Sequence, residues 1–239
     1  MLGELLERTL KHIAEVNREG NVELFAAQLV QSRPEYEEET ALRLARSALL
    51  IVLETPEIAR HMWELLQGDS CTLEQRCALA VTLAYLVQPV DLQPESFPAG
   101  FGYVDDALLL RYAMLCELNR LPPQISDEET EKSRLSILAA CVSAEAREPL
   151  KQEMARISRR VRIFSQLPRP ELEHLLDRVM KDPLGALDHP LPDEEGDTPE
   201  RWDPFNGSVV APRRRTGKIV DCLSGPLLPG KEQSEEGAP

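Results

Sequence analysis

Aromatic residues make up only 5% of this 239-residue chain, while leucine, alanine and glutamate are abundant. Straight-chain side chains lose little rotamer freedom in a helix, so this bias favours helices over sheets. The hydrophobic fraction of 42% is enough for a sizeable core. The composition therefore predicts an all-α protein, built as a multi-helix bundle.

Paired cysteine motifs are absent: the chain has no CxxC, and its five cysteines are odd in number. Most of them fall within apolar helical stretches, which predicts reduced thiols in the core of a cytoplasmic protein. We therefore expect no thiolate metal site. We also predict no other metal site and no cofactor. The five residues are Cys71, Cys77, Cys116, Cys141 and Cys222.

Long apolar runs and an excess of positive charge are also lacking. The most hydrophobic stretches, SALLIVL and ALAVTLAYLV, fall far short of the roughly 20 residues that span a bilayer. The N-terminus lacks the basic start and unbroken apolar run of a signal peptide. A net charge of −14 argues against nucleic acid and anionic membranes as partners. We expect a soluble protein whose partner is another protein.

Motifs for nucleophilic catalysis and for phosphate binding are missing too. The chain contains no GxSxG and no GxxxxGK[ST], and its four histidines have no metal-ligand spacing. These absences argue against an enzyme without excluding one, and we predict no catalytic residue.

Apolar residues recur every three or four positions from residue 2 to about residue 180, with stop signals between the segments. Thr72 with Gln75 predicts a capping box, as does Ser126 with Glu129. Thr55 before Pro56 predicts another cap, and Gly68 predicts a left-handed end. The predicted helices are 2–18, 22–32, 36–54, 56–67, 72–88, 104–120, 127–146, 148–166 and 170–181.

Composition changes near residue 182. The last 58 residues hold 9 of the 19 prolines and 7 of the 12 glycines, and they show no sustained period. Such a segment cannot bury enough apolar surface to offset the entropy of ordering. We predict a helical domain over 1–181 and a disordered, acidic, Pro/Gly-rich tail over 182–239.

A proline-rich corner interrupts the most hydrophobic region, in YLVQPVDLQPESFPAGFGYVDD at residues 85–106. Pro89 must end the preceding helix because it has no amide hydrogen to donate, and Pro94 and Pro98 keep the connector extended. Gly100 and Gly102 permit backbone angles closed to other residues. The pattern predicts a rigid helical hairpin over 72–120.

The corner resembles the signature of the YkvA-type bacterial family, whose typical line is close to YLxxPxDLxPxxxPxxGYxDD. The resemblance covers residues 73–115 and implies a bacterial helical hairpin of unknown function, with no established catalytic residues. One departure is the three-residue AGF between Pro98 and Gly102, where the family usually has two residues, which predicts a bulge. The matching residues are Tyr85, Leu86, Pro89, Asp91, Leu92, Pro94, Pro98, Gly102, Tyr103, Asp105 and Asp106.

Four carboxylates around the corner offer an alternative function. Asp91, Glu95, Asp105 and Asp106 could converge to bind Mg²⁺ or to act as general acid and base, as in a metal-dependent hydrolase. The simpler interpretation is that Asp91 caps a turn, while Asp105 and Asp106 lie in the first turn of the next helix, where negative charge is favourable. We favour the structural interpretation.

Two further segments are candidate partner-binding sites. In ARISRRVRIF, the side chains of Arg156, Arg159 and Arg160 share one region of a helix and could face an acidic partner or a phosphate. The alternative is a solvated face paired with neighbouring acids or with the tail.

The second segment is RWDPFNGSVVAPRRRTGKIVDCL at 201–223, inside the predicted tail. Trp202 and Phe205 are apolar anchors, followed by Arg213, Arg214 and Arg215. Trp and Arg dominate binding hot spots, which predicts a segment that folds on a partner; the alternative is that Trp202 and Phe205 dock back onto the body.

These observations predict a non-enzymatic cytoplasmic regulatory or adaptor protein that acts through protein–protein interaction. One sharper version is a cofactor or regulator of a signalling switch such as a small Ras-like GTPase. In that version an arginine supplied by the tail would stabilise transition-state charge.

Overall fold

The computed structural model describes residues 1–18, 21–88, 92–93, 98–123, 125, 127–187 and 202–206. Over these residues the chain is helical and contains no strand, so the predicted all-α class is confirmed. The α-helices are α1 (Leu2–Arg18), α2 (Val22–Ser32), α3 (Glu38–Leu53), α4 (Thr55–Gln67), α5 (Leu73–Leu86), α6 (Val104–Tyr112), α7 (Glu128–Cys141), α8 (Ala144–Phe164), α9 (Arg169–Lys181) and α10 (Pro183–Leu187).

The hairpin of α5 and α6 forms the centre of the bundle. All nine residues of α6 are buried, and so are Cys77 to Ala84 of α5. Helices α4, α8 and α9 pack on α5, while α4 and α7 pack on α6. The last part of the connection between α5 and α6, Pro98–Tyr103, packs against α1, α2 and α3.

Helix ends follow the predicted caps in part. The capping box of Thr72 and Gln75 is confirmed in both directions. The start of α7 is capped instead by Asp127, whose Oδ1 accepts a hydrogen bond from Thr130 N at 2.8 Å. The proposed cap Ser126 lies outside the described residues.

Two other predicted ends are wrong. Thr55 lies inside α4 with a buried hydroxyl that has no hydrogen-bond partner, because Glu54 keeps a helical backbone between α3 and α4. That geometry leaves no extended residue to act as a cap. Gly68 ends α4 with an extended backbone, at φ −84° and ψ 173°, rather than a left-handed one.

The breaks in the second half of the chain also differ from the prediction. The division between α7 and α8 falls at Val142 and Ser143 rather than near residue 147, because Ser143 Oγ accepts a hydrogen bond from Ala146 N and caps α8. Pro149 lies within α8. The predicted helix 104–120 changes after Tyr112 into a π-helical turn, Ala113–Glu117.

The described helices end six residues beyond the predicted domain boundary at residue 181, since α10 packs against α9 and α5. Most of the predicted tail lies outside the described residues. Within the described ranges, no helix is long and apolar enough to cross a membrane.

Candidate partner-binding surface on helix α8

The corner is organised by Gln93, a fully buried side chain that sequence reasoning did not single out. Its Nε2 donates to Phe101 O at 2.8 Å, and its Oε1 accepts from Ser143 N at 2.7 Å. Its backbone N–H donates to Asp105 Oδ2 at 3.2 Å. Through its side chain and its backbone amide, this one residue joins the connector, the start of α6 and the junction of α7 and α8.

The AGF insertion contains the unusual backbone of the corner. Ala99 has φ 57° and Gly100 has φ 79°, both in the left-handed region, inside a short 3-10 segment, Pro98–Tyr103. Left-handed geometry costs a non-glycine residue about 1–2 kcal/mol. The prediction that Gly102 needs such freedom is wrong, because Gly102 has helical angles.

The structure describes two of the four corner carboxylates. Asp105 and Asp106 lie in the first turn of α6, as predicted, and both are buried. Asp91 and Glu95 lie outside the described residues, as do Pro89 and Pro94, so the four-carboxylate cluster stays a prediction. Among the residues that the structure places, no three His, Cys, Asp or Glu side chains are grouped to hold a metal ion.

A buried ion cluster lies one helix away from the corner. Arg111 is fully buried and binds Glu131 through two hydrogen bonds of 2.9 and 3.0 Å. Its other terminal nitrogen donates to Glu54 Oε2 at 2.5 Å, and Arg134 donates to the same oxygen at 2.5 Å. Burial raises the pKa of Glu131, although Arg111 opposes the shift.

The three arginines predicted to form a basic stripe do not share one exposed face. Arg156 is exposed and pairs with Glu153, whereas Arg160 is only 7% exposed. Arg156 and Arg160 line a depression of about 140 Å³ beside Tyr85. Arg159 is half-buried. The pairing with Glu153 agrees with the alternative of a face neutralised by its own acids.

A second depression, of about 650 Å³, lies between the start of α5 and α9. The two arginines that line it, Arg76 and Arg169, both bind groups of the same chain. Arg169 Nε lies 2.8 Å from Glu173 Oε1, and Arg76 Nε donates to Leu66 O at 2.9 Å.

The segment Trp202–Asn206 packs on the helical body, and α8 supplies the charged contacts. Phe205 is 8% exposed and belongs to the hydrophobic core, and Trp202 packs against that core. The Phe205 ring lies 5.2 Å from Arg147 Cζ and 5.4 Å from Lys151 Nζ. Arg147 Nη2 also donates to Phe205 O at 3.1 Å. We call the surface formed by Arg147, Lys151 and the adjoining core the α8 seat.

The docked segment is a tight turn. Asp203 O accepts from Asn206 N at 3.1 Å, and Asp203 Oδ1 accepts from Phe205 N at 2.8 Å. Pro204 occupies the position where its fixed φ suits a turn, and aspartate commonly bonds the backbone two residues on. Asp203 Oδ2 also lies 3.6 Å from Lys151 Nζ. Local sequence thus preforms the shape that α8 holds.

The hairpin of α5 and α6 contains the part of the chain that matches a known family. Residues 75–111 match the family described as protein of unknown function, DUF1232. This match confirms the predicted resemblance to the YkvA-type signature. The DUF1232 segment comprises most of α5, the corner and α6 up to the buried Arg111. No curated protein and no solved structure matches the chain.

Of two buried residues in the DUF1232 region, the sequence marks Arg111 only weakly and Gln93 not at all. Gln93 occupies a variable position of the signature, so nothing in the pattern marks it as a hub. Arg111 stands among leucines in DDALLLRYAML, and a charge in an apolar helix predicts a buried ion pair.

The tail arginines predicted to bind a partner, Arg213, Arg214 and Arg215, lie outside the described residues.

Proposed function

We propose that the chain is a non-enzymatic regulatory or adaptor protein that acts through contacts with other proteins. The observation that carries this proposal is the packing of Trp202–Asn206 on the body. It shows that the body holds a short, separate segment by an aromatic anchor and a pair of cations. Short segments of this composition are a common means of protein recognition.

The DUF1232 region supports the proposal as a rigid support. Its helices are enclosed by other helices, and Gln93 and Arg111 tie it to α3, α7 and the start of α8. A support of this kind presents outer helices such as α8 in a fixed position. A fixed surface binds a partner with less entropy lost on association.

Affinity capture from a bacterial lysate tests the proposal. The full chain is compared with a chain ending at Leu187, after α10, and bound proteins are identified by mass spectrometry. Circular dichroism of the shorter chain checks that its helices persist. We expect a partner that is enriched reproducibly on the full chain. Capture of no protein by either chain would contradict the adaptor function.

A finer proposal is that the partner is a nucleotide switch such as a small Ras-like GTPase, with a tail arginine acting in trans. It is supported by the cluster of Arg213, Arg214 and Arg215. The test is single-turnover GTP hydrolysis by a captured GTPase, with the wild-type chain and with a triple alanine variant of these residues. An arginine supplied in trans accelerates hydrolysis by about 10³–10⁵-fold. Equal rates with both chains would reject this role.

A further inference from the structure

The α8 seat is occupied by a segment of the chain itself. We propose that it is an exchangeable binding site for an aromatic, acidic turn of a partner protein, and that Trp202–Asn206 holds it closed. This inference rests on the proposed function, because it names the site and the kind of partner segment through which an adaptor would act.

The contacts of the seat define the chemistry of its ligand. Arg147 and Lys151 are four residues apart on α8, so both side chains project from one face of the helix. They flank the ring of Phe205, and Lys151 also faces the carboxylate of Asp203. A ligand that reproduces these contacts carries an aromatic ring two residues after an acidic side chain.

The main chain adds a further requirement. Arg147 donates to the carbonyl of Phe205, so the ligand must present a backbone oxygen beside its ring. The Asp203–Asn206 turn provides this oxygen because it folds the backbone back on itself. A partner segment with proline between its acidic and aromatic residues would reproduce the same shape.

The covalent attachment of Trp202–Asn206 to the body determines how readily a partner segment can replace it in the α8 seat. Fourteen residues, 188–201, connect the end of α10 to Trp202. Covalent tethering over this chain length gives the segment an effective concentration of about millimolar order. A free peptide of equal affinity therefore competes poorly with the tethered copy, whereas removal of the two anchors opens the seat to it.

The test measures binding of a fluorescein-labelled peptide, PERWDPFNGS, to full-length chains by fluorescence anisotropy. The first chain is wild type, and the second carries Trp202→Ala with Phe205→Ala, which vacates the seat. The third adds Lys151→Glu to the vacated chain. A matched control adds Lys181→Glu instead, at an exposed lysine of α9. Thermal unfolding confirms that all four chains keep the folded body.

We expect the vacated chain to bind the peptide at least about tenfold more tightly than wild type, since the tethered competitor is gone. Adding Lys151→Glu should weaken binding by about tenfold, while Lys181→Glu should leave it unchanged. Equal binding by wild-type and vacated chains would overturn the proposal. So would loss of binding with Lys181→Glu equal to that with Lys151→Glu.

Two further outcomes separate this inference from the adaptor function. A lysate partner captured equally by the wild-type and vacated chains would leave the adaptor function in place and reject the seat as its site. Light scattering that shows a wild-type dimer, lost in the vacated chain, would make a second copy the occupant and reject a partner protein.

Discussion

Gln93 and Ser143 are joined by a 2.7 Å hydrogen bond that spans 50 residues of sequence, from the amide of Ser143 to the side-chain oxygen of Gln93. The amide belongs to the residue that caps α8, so the bond ties the DUF1232 corner to the helix that carries the α8 seat. The geometry around Gln93 and the position of the candidate binding surface are thereby linked.

Gln93→Ala should destabilise the protein by about 2–5 kcal/mol, because it removes two buried hydrogen bonds, one from the Ser143 amide and one to the Phe101 carbonyl. Denaturant unfolding measures the change. Gln67→Ala, at an exposed position of α4, is the matched control and should stay within about 0.5 kcal/mol. Equal effects of the two substitutions would show that the corner does not depend on the Gln93 bonds.

Ala99→Gly should stabilise the protein by roughly 0.5–1 kcal/mol. Glycine relieves the left-handed strain at φ 57°, and this gain exceeds the cost of the greater conformational freedom that glycine gives the unfolded chain. Ala27→Gly makes the same substitution at an exposed position within α2 and should destabilise by about 1 kcal/mol. Both changes are measured by thermal unfolding. A loss of stability at both positions would rule out the left-handed backbone at Ala99.

Glu131→Gln should destabilise by about 3–5 kcal/mol at neutral pH, because it breaks a buried ion pair and leaves the Arg111 charge poorly compensated. Glu129→Gln, at a side chain that is 88% exposed, provides the control and should change stability by less than about 0.5 kcal/mol. Denaturant unfolding at pH 7 compares them. A small effect of Glu131→Gln would mean that the ion pair with Glu54 alone is enough to compensate the buried charge of Arg111.

Cysteine labelling tests the placement of the core thiols. Burial raises the pKa of Cys77 and of Cys141 to about 12, so both remain protonated and shielded at pH 8. Cys71 is half-exposed. Maleimide labelling followed by peptide mass mapping should find Cys71 modified in the folded protein, and Cys77 and Cys141 only after denaturation. Rapid labelling of Cys141 in native conditions would contradict its burial.

The sequence predicted the helices and the hairpin well because their signals are local. Apolar spacing and the Thr72 capping box act within one or two turns. The division of α7 from α8 was misplaced because a serine cap outweighed the breaking effect of Pro149. The role of Gln93 and the partners of Arg111 could not be found, since the decisive contacts join residues 20 to 60 positions apart. Trp202 and Phe205 were identified as anchors, but only the fold shows where they dock.

The central claim is that Trp202–Asn206 is held on α8, and the emission of Trp202 tests it most directly. The chain has two tryptophans, so Trp63→Phe leaves Trp202 as the sole reporter. We predict blue-shifted emission that resists acrylamide quenching, and a red shift when Phe205→Ala or Lys151→Glu is added. Emission typical of a fully solvated indole in the Trp63→Phe chain, unchanged by either addition, would contradict the docked segment.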